Sequence, residues 1–268
     1  MKTAIIVSKK DPAGMNIRQR LLENYQWEKI NNEKYQLKKN ESIKLYIAEK
    51  ESIFCEDIDK EIEADLFVFA TKHQSSSGIH SLCVHSPGNW GKAEFGGKDK
   101  KLCTAPSSYL RTALFTLKKN ASNLNYEIIQ EVTHHGPFLE KPCFFIEIGS
   151  NLESWKNKKA AEIISKTIME VLEQKDTKKY AIAFGIGGLH HTPILTRVME
   201  KTDIAFGHVC PKYNLHNLDK EMILQAIEKT QENVDFVVLD WKGLGKEKQR
   251  ILDLLKELNL EVKRSDRI

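Results

Sequence analysis

Leu66-Phe67-Val68-Phe69-Ala70-Thr71-Lys72-His73 sets a pattern that recurs along the rest of the chain. Five apolar residues end abruptly in a polar segment that carries a histidine. A run this short, rich in Val and Phe and without strict alternation, reads as a strand covered on both faces. Similar runs lie at 3–8, 43–48, 81–85, 126–130, 143–148, 180–184, 203–206 and 236–239. Amphipathic patterns separate them. Pro106 suits a first helical turn, and Leu110, Ala113, Leu114 and Leu117 then share one face. The stretch 152–174 places Ala160, Ile164, Ile168 and Val171 on one side, and 220–229 and 246–258 behave likewise. Strands alternating with such helices predict a three-layer α/β domain with a mixed, mostly parallel sheet.

The bulk properties agree. At about 100–200 residues per domain, 268 residues allow one large domain or two small ones. We expect a single domain over 1–268, with 31–63 as a peripheral addition. The polar stretch 28–40 suits a surface hairpin or loop. Lys and Arg total 41 against 37 Asp and Glu, a balance of +4 that permits a polyanionic partner without demanding one. An apolar share of 41% is too high for a disordered chain. No apolar run approaches the roughly 20 residues of a membrane span. Residues 4–7 are too few for a signal-peptide core of about 7–15 residues. Five cysteines without a C-x-x-C pair argue against a disulfide framework or a cysteine zinc knuckle and suit a reducing cytoplasm.

The chemistry gathers where the apolar runs stop. His73, His85, His134, His135, His190, His191 and His208 all lie in or beside such loops, and Glu131 stands next to one. If the strands are parallel neighbours, these loops meet in a cleft beyond their carboxyl ends. A cleft lined with imidazoles and carboxylates suits general-base or metal-assisted hydrolysis. Neighbouring side chains in extended chain point to opposite faces, so only one of His134 and His135, and one of His190 and His191, needs to face it. Glu147 sits in an otherwise apolar run, where a buried carboxylate must be paired, metal-bound or protonated. The alternative is an edge strand with Glu147 in solvent. The Gly185-Ile186-Gly187-Gly188 turn could offer backbone N–H groups to an anion. Segment 88–98 carries Asn89, Trp90 and Lys92 and reads as a substrate loop. Lys92, Lys212 and Lys242 stand beside Trp90, Tyr213 and Trp241, a pairing of cations and rings that suits a single-stranded RNA end.

Seven motifs carry a family resemblance: Ala70-Thr71-Lys72-His73, His85-Ser86-Pro87-Gly88-Asn89-Trp90-Gly91-Lys92, Glu131-Val132-Thr133-His134-His135-Gly136-Pro137, Phe145-Ile146-Glu147-Ile148-Gly149-Ser150, Gly185-Ile186-Gly187-Gly188-Leu189-His190, Ala205-Phe206-Gly207-His208 and Asp240-Trp241-Lys242-Gly243. In this order they resemble the D-aminoacyl-tRNA deacylases of archaeal and plant type. The resemblance implies hydrolysis of the ester joining a D-amino acid to the 3′-terminal ribose of tRNA. It also implies zinc, and a phosphorylase/hydrolase-like fold similar to peptidyl-tRNA hydrolase. The expected partner is the acceptor end of aminoacylated tRNA, met by a monomer with no obligatory protein partner. We expect catalysis from His85, Glu131, His134 and His135. Substrate contacts are expected from Asn89, Trp90, Lys92, Gly187, Gly188, Lys212 and Lys242, and zinc ligation from His73, Glu147, His190 and His208. Two rival readings are a zinc-dependent amidohydrolase or peptidase acting on small substrates, and a non-catalytic tRNA-binding protein.

Overall fold

The structure is a computed structural model that describes residues 1–76, 78–174 and 179–268. Its elements in chain order are β1 (Thr3–Ser8), α1 (Pro12–Asn24), β2 (Trp27–Lys29), β3 (Lys34–Leu37), β4 (Ile43–Ala48), β5 (Leu66–Lys72), β6 (Ser81–His85), α2 (Ser107–Asn120), β7 (Glu127–Gln130) and β8 (Cys143–Gly149). There follow α3 (Leu152–Lys156), α4 (Lys158–Glu173), β9 (Ala181–Ile186), α5 (Pro193–Lys201), β10 (Ile204–Cys210), α6 (Lys220–Glu228), β11 (Phe236–Leu239), α7 (Lys248–Glu257) and β12 (Val262–Arg264). The strands form two sheets, one ordered β2-β3-β4-β1-β5-β8-β6-β7 and a smaller one ordered β10-β9-β11-β12. Only β2 with β3, β3 with β4, and β6 with β8 pair antiparallel. The mixed, mostly parallel α/β architecture is as the alternation predicts, divided between two sheets.

The two faces of the large sheet differ. On one, Ile5, Val7, Val68, Phe144, Ile146 and Leu82 pack with Ile17 and Leu21 of α1, Leu110 and Leu114 of α2, and Ile164 and Ile168 of α4. On the other, Ile6, Phe67, Phe69 and Phe145 are covered by loop residues, among them Cys55, Cys103, Phe138 and Leu139. The small sheet packs Phe184, Ile186, Val237 and Leu239 against α6 and α7 through Met222, Ile223, Ile251 and Leu255. Segment 31–63 supplies β3 and β4. Ile43, Leu45 and Ile47 of β4 enter the core, and β4 lies in register against β1.

Several local expectations shift for physical reasons. The helix expected over 152–174 breaks at Asn157, whose extended backbone ends α3 while its side chain accepts the Ala160 N–H and starts α4. Pro106 stands just before α2, not within its first turn. The carboxylate of Glu232 accepts the N–H groups of Ser107 and Ser108 there at 3.0 and 2.8 Å. The run expected to stop at Phe206 continues to Cys210, with a register shift between Phe206 and Val209.

Asp11 joins the N-terminal helix to the strand that leads to His73. Its Oδ1 accepts the N–H groups of Ala13 and Gly14, capping α1, and its Oδ2 accepts the N–H of Lys72 at the end of β5 at 2.8 Å. Replacing an N-cap carboxylate with a methyl group typically costs about 1 kcal/mol. We therefore expect Asp11→Ala to lower the free energy of unfolding by about 1–2 kcal/mol in a urea titration. An unchanged midpoint would contradict the capping role.

Candidate active site

Glu147 lies on β8, between β5 and β6, where Thr71, Glu147 and Cys83 stand side by side in register. It is buried, with 2% of its surface exposed, which removes the edge-strand alternative. Thr71 Oγ1 donates to its Oε1 at 2.8 Å, and Cys83 Sγ approaches its Oε2 at 3.7 Å. Two residues along β6 on the same face, His85 places Nε2 3.6 Å from Glu147 Oε1. His73, just past the end of β5, brings Nδ1 to 3.6 Å from Glu147 Oε2.

The second carboxylate, Glu131, arrives on a segment stitched to both sheets. Its own N–H donates to Val84 O of β6, that of Val132 to His190 O, and that of Thr133 to Val209 O of β10, each at 3.0 Å. Around the buried Glu131 carboxylate, His73 Nδ1 lies at 3.3 Å, His190 Nε2 at 3.6 Å, His191 Nε2 at 3.7 Å and His134 Nε2 at 4.0 Å. The site therefore occupies the loop-covered face of the large sheet and the seam with the small one. His73, His85, Glu131 and His190 stand at or past the carboxyl ends of β5, β6, β7 and β9, as expected, but because β6 runs against β8 these ends meet over the sheet face beside Glu147 and not along one parallel rim.

Both members of each histidine pair face the cluster. His135 adopts a left-handed backbone, φ 42°, so the chain turns and the opposite-faces rule for extended chain does not hold. The His85, His134 and His135 ring centroids lie 4.1, 4.8 and 4.3 Å apart pairwise, and His134 is 4.5 Å from His190. The Nδ1 atoms of His85, His134 and His135 lie 3.2, 2.9 and 2.6 Å from the carbonyl oxygens of Ser86, Val132 and Gly136. A carbonyl only accepts, so each Nδ1 carries the proton and each Nε2 keeps a free lone pair.

Burial above all keeps His134, His135 and His190 neutral. It holds His134 well below the ordinary imidazole range, with the neighbouring imidazoles adding to the effect. His135 falls to about 3 and His190 to about 4, again chiefly through burial. The carboxylates diverge. Burial, then the charge of Glu147, pushes Glu131 well above the usual carboxylate range. Burial also raises Glu147, but the nearness of the His85, His73 and His135 imidazoles outweighs this and brings it to about 2. Two adjacent buried carboxyls cannot both ionise cheaply, and the pair settles into one of each form.

The donor set fits a cation. Nitrogens of His85, His134 and His135 lie within 4.8 Å of one another, as do donor atoms of Glu131, His134 and His190, and of His73, Cys83, Glu131 and Glu147. His73 Nε2, His85 Nε2 and both oxygens of Glu131 are buried without a hydrogen-bond partner. Orphaned polar atoms are costly, and imidazoles oriented by backbone carbonyls are typical of metal-ligating histidines. Cys83 and Thr71 were not anticipated, although the spacing of Cys83 and His85 along one strand places both on one face.

Asn89, Trp90 and Lys92 line the cleft, as expected of their loop, while other expected site residues lie elsewhere or are already engaged. His208 falls inside β10. Its Nδ1 meets Thr133 Oγ1 at 3.1 Å and its Nε2 meets the carbonyls of Cys103 and Lys229 at 3.0 and 3.1 Å, so neither nitrogen is free for a metal. The Gly187 N–H donates to Cys210 O and the Asn89 N–H to Lys101 O, which removes these backbone groups as oxyanion donors, while Asn89 Nδ2 spends one of its two N–H groups on Gly96 O. Gly187 and Gly188, at φ 97° and 92°, pack on Asp240. Trp90 is a core residue, stacked on Phe184 with its Nε1 donating to Thr133 O. Trp241 is covered by Arg264 and Lys248. Lys92 pairs with Asp99. Tyr213 does belong to the site, its hydroxyl 3.1 Å from His190 Nδ1. A cleft of about 770 Å³ opens over His73, His134, His135, Glu147, His190 and Tyr213.

A sheet-borne cluster of imidazoles and buried carboxyls beneath an open cleft has the chemistry that hydrolysis uses. The chain belongs to the D-aminoacyl-tRNA deacylase family, whose family model matches residues 60–263. It is 40% identical over 271 residues to the D-aminoacyl-tRNA deacylase of Thermococcus kodakarensis, covering 96% of this chain and 97% of that one. It is 34% identical over 283 residues to that of Methanosarcina mazei, covering 100% and 93%. The fold matches a crystal structure of a conserved protein of unknown function with a TM-score of 0.91 and 28% identity, covering 100% of this chain and 96% of that one.

Burial lowers the His208 imidazole to about 4, so the folded chain resists a proton that the unfolded chain accepts near the ordinary 6.5. The sign is fixed: this contribution is complete above about pH 6.5 and is lost as pH falls from there toward about 4. His208→Gln should therefore show a smaller drop in unfolding free energy between about pH 7 and about pH 5 than the parent chain. An equal drop in both would exclude His208 from the acid response.

Proposed function

We infer that this cluster is where the chain hydrolyses D-aminoacyl-tRNA, and that its imidazoles handle the proton. The observation that carries the reading is the set of neutral, carbonyl-pinned histidines around a divided carboxyl pair beneath the cleft. Water adds to the ester carbonyl carbon and gives up its proton. The bond from that carbon to the ribose oxygen then breaks, and the proton passes to the leaving hydroxyl. His190 is the ring a water in the cleft reaches most openly. Its Nδ1 is held by Tyr213 and its Nε2 faces Glu131, so it is the proton acceptor in this reading. Glu147, ionised and 3.6 Å from His85 Nε2, stabilises positive charge that develops among the rings.

Zinc suits the donor set, with His85, His134 and His135 as its holders and Glu131, His73 or Glu147 close by. When bound it would polarise the ester carbonyl and acidify water at the site. The acceptor end of aminoacylated tRNA is the part of the substrate that enters, and the enzyme works as a monomer in the cytoplasm. No helix among the described residues is long and apolar enough to cross a membrane, and all five cysteines are free.

Because both rings face the cluster, His134→Ala and His135→Ala should each lose about 10²–10⁴-fold in turnover of D-tyrosyl-tRNA while retaining the fold. His216→Ala, on an exposed turn, should stay near the parent rate. Near-parental rates for both cluster variants would overturn the assignment. Exhaustive chelation should abolish turnover and added zinc should restore it. Unchanged activity in a chain shown by mass spectrometry to be metal-free would remove zinc.

A further inference from the structure

We propose that the acceptor stem of the tRNA leaves the cleft along one flank, over a trough whose floor includes Leu189 and whose cations are Lys212, Arg197, Lys201 and Lys242. This rests on the deacylase reading above and adds the direction and footing of the nucleic acid. The cleft continues into a hollow that shares His73, His190 and Tyr213 with it and adds Lys212, Leu189 and Pro193. A third hollow of about 520 Å³ shares Leu189 and Pro193 with the second and adds Arg197, Lys201 and Lys242. The shared residues make the three continuous.

Charge decides the direction. Arg197, Lys201, Lys212 and Lys242 are exposed and make no ion pair or side-chain hydrogen bond among the described residues. Of the acidic groups in the trough only Asp266 has a cationic partner, and the four free cations outnumber Glu127 and Asp240. Glu127 lies 3.5 Å from His191, Asp266 pairs with Arg264, and Asp240 accepts the Gly243 N–H. On the opposite flank the lysines are neutralised: Lys72 by Glu51, Lys92 by Asp99 and Lys98 by Asp57. Glu94 adds a negative charge to that wall. A polyanion entering the cleft meets free cations in one direction and ion pairs in the other. Leu189, 68% exposed on a turn held by Gly187 and Gly188, stands between the hollows. An apolar side chain that open suits contact with the face of a base.

Phosphate contacts position a substrate without touching the chemistry, and each shows as a change of about 1 in the salt slope. The test uses the full chain carrying Arg197→Gln and Lys201→Gln, with D-tyrosyl-tRNA and the same ester on a CCA trinucleotide as substrates. For the tRNA, the slope of log(kcat/KM) against log salt should become shallower by about 2 and kcat/KM should fall, with kcat kept. For the trinucleotide, kcat/KM should not change. Lys158→Gln with Lys159→Gln, on α4, should leave the tRNA slope as it was. An unchanged slope in the trough variant, or an equal change in the α4 variant, would overturn the proposal. A parent chain inert on D-tyrosyl-tRNA would instead overturn the deacylase reading, so the two failures are distinct.

Discussion

The charge of Glu147 is the constraint around which the molecule is arranged. An ionised carboxylate at the centre of a sheet costs several kcal/mol unless its surroundings replace the lost water. Here Thr71 donates from one neighbouring strand, while Cys83 and His85 approach from the other. The register of β5, β8 and β6 is what makes this compensation available. Burial, reinforced by the same charge, holds Glu131 in its protonated form, because a second anion at that depth would find no comparable support. Difference in environment, not in residue type, separates the two carboxyls.

The asymmetry of the large sheet explains how such a cluster is tolerated. One face is sealed by α1, α2 and α4, and its apolar packing carries the stability. The other is covered by loops, whose backbone carbonyls accept the imidazole protons and fix each ring. A site built on loops over a rigid sheet gains orientation without giving up the core beneath it.

Much of the scaffold was legible. The limits of β1, β4, β6 and β11 follow from apolar runs bounded by polar residues, and the histidine-bearing ends marked most of the site. What escaped depended on the third dimension. The antiparallel direction of β6 set the converging strand ends over a sheet face and not along one parallel rim. The left-handed turn at His135 brought both rings of a pair inward, which alternation cannot foresee. The bulge that carries β10 past Phe206 turned His208 from a loop residue into a core residue, and a near neighbour on the opposite sheet did the same to Trp90. In each case a tertiary contact overrode a local rule.

Residues 131–133 are fastened to β6 on one side and to the His190 loop and β10 on the other. Glu131 therefore acquires its place only when both halves of the chain have closed on each other. Neither stretch alone holds the whole set, since His73, His85 and Glu147 come with the large sheet and His190 and His191 with the loop after β9.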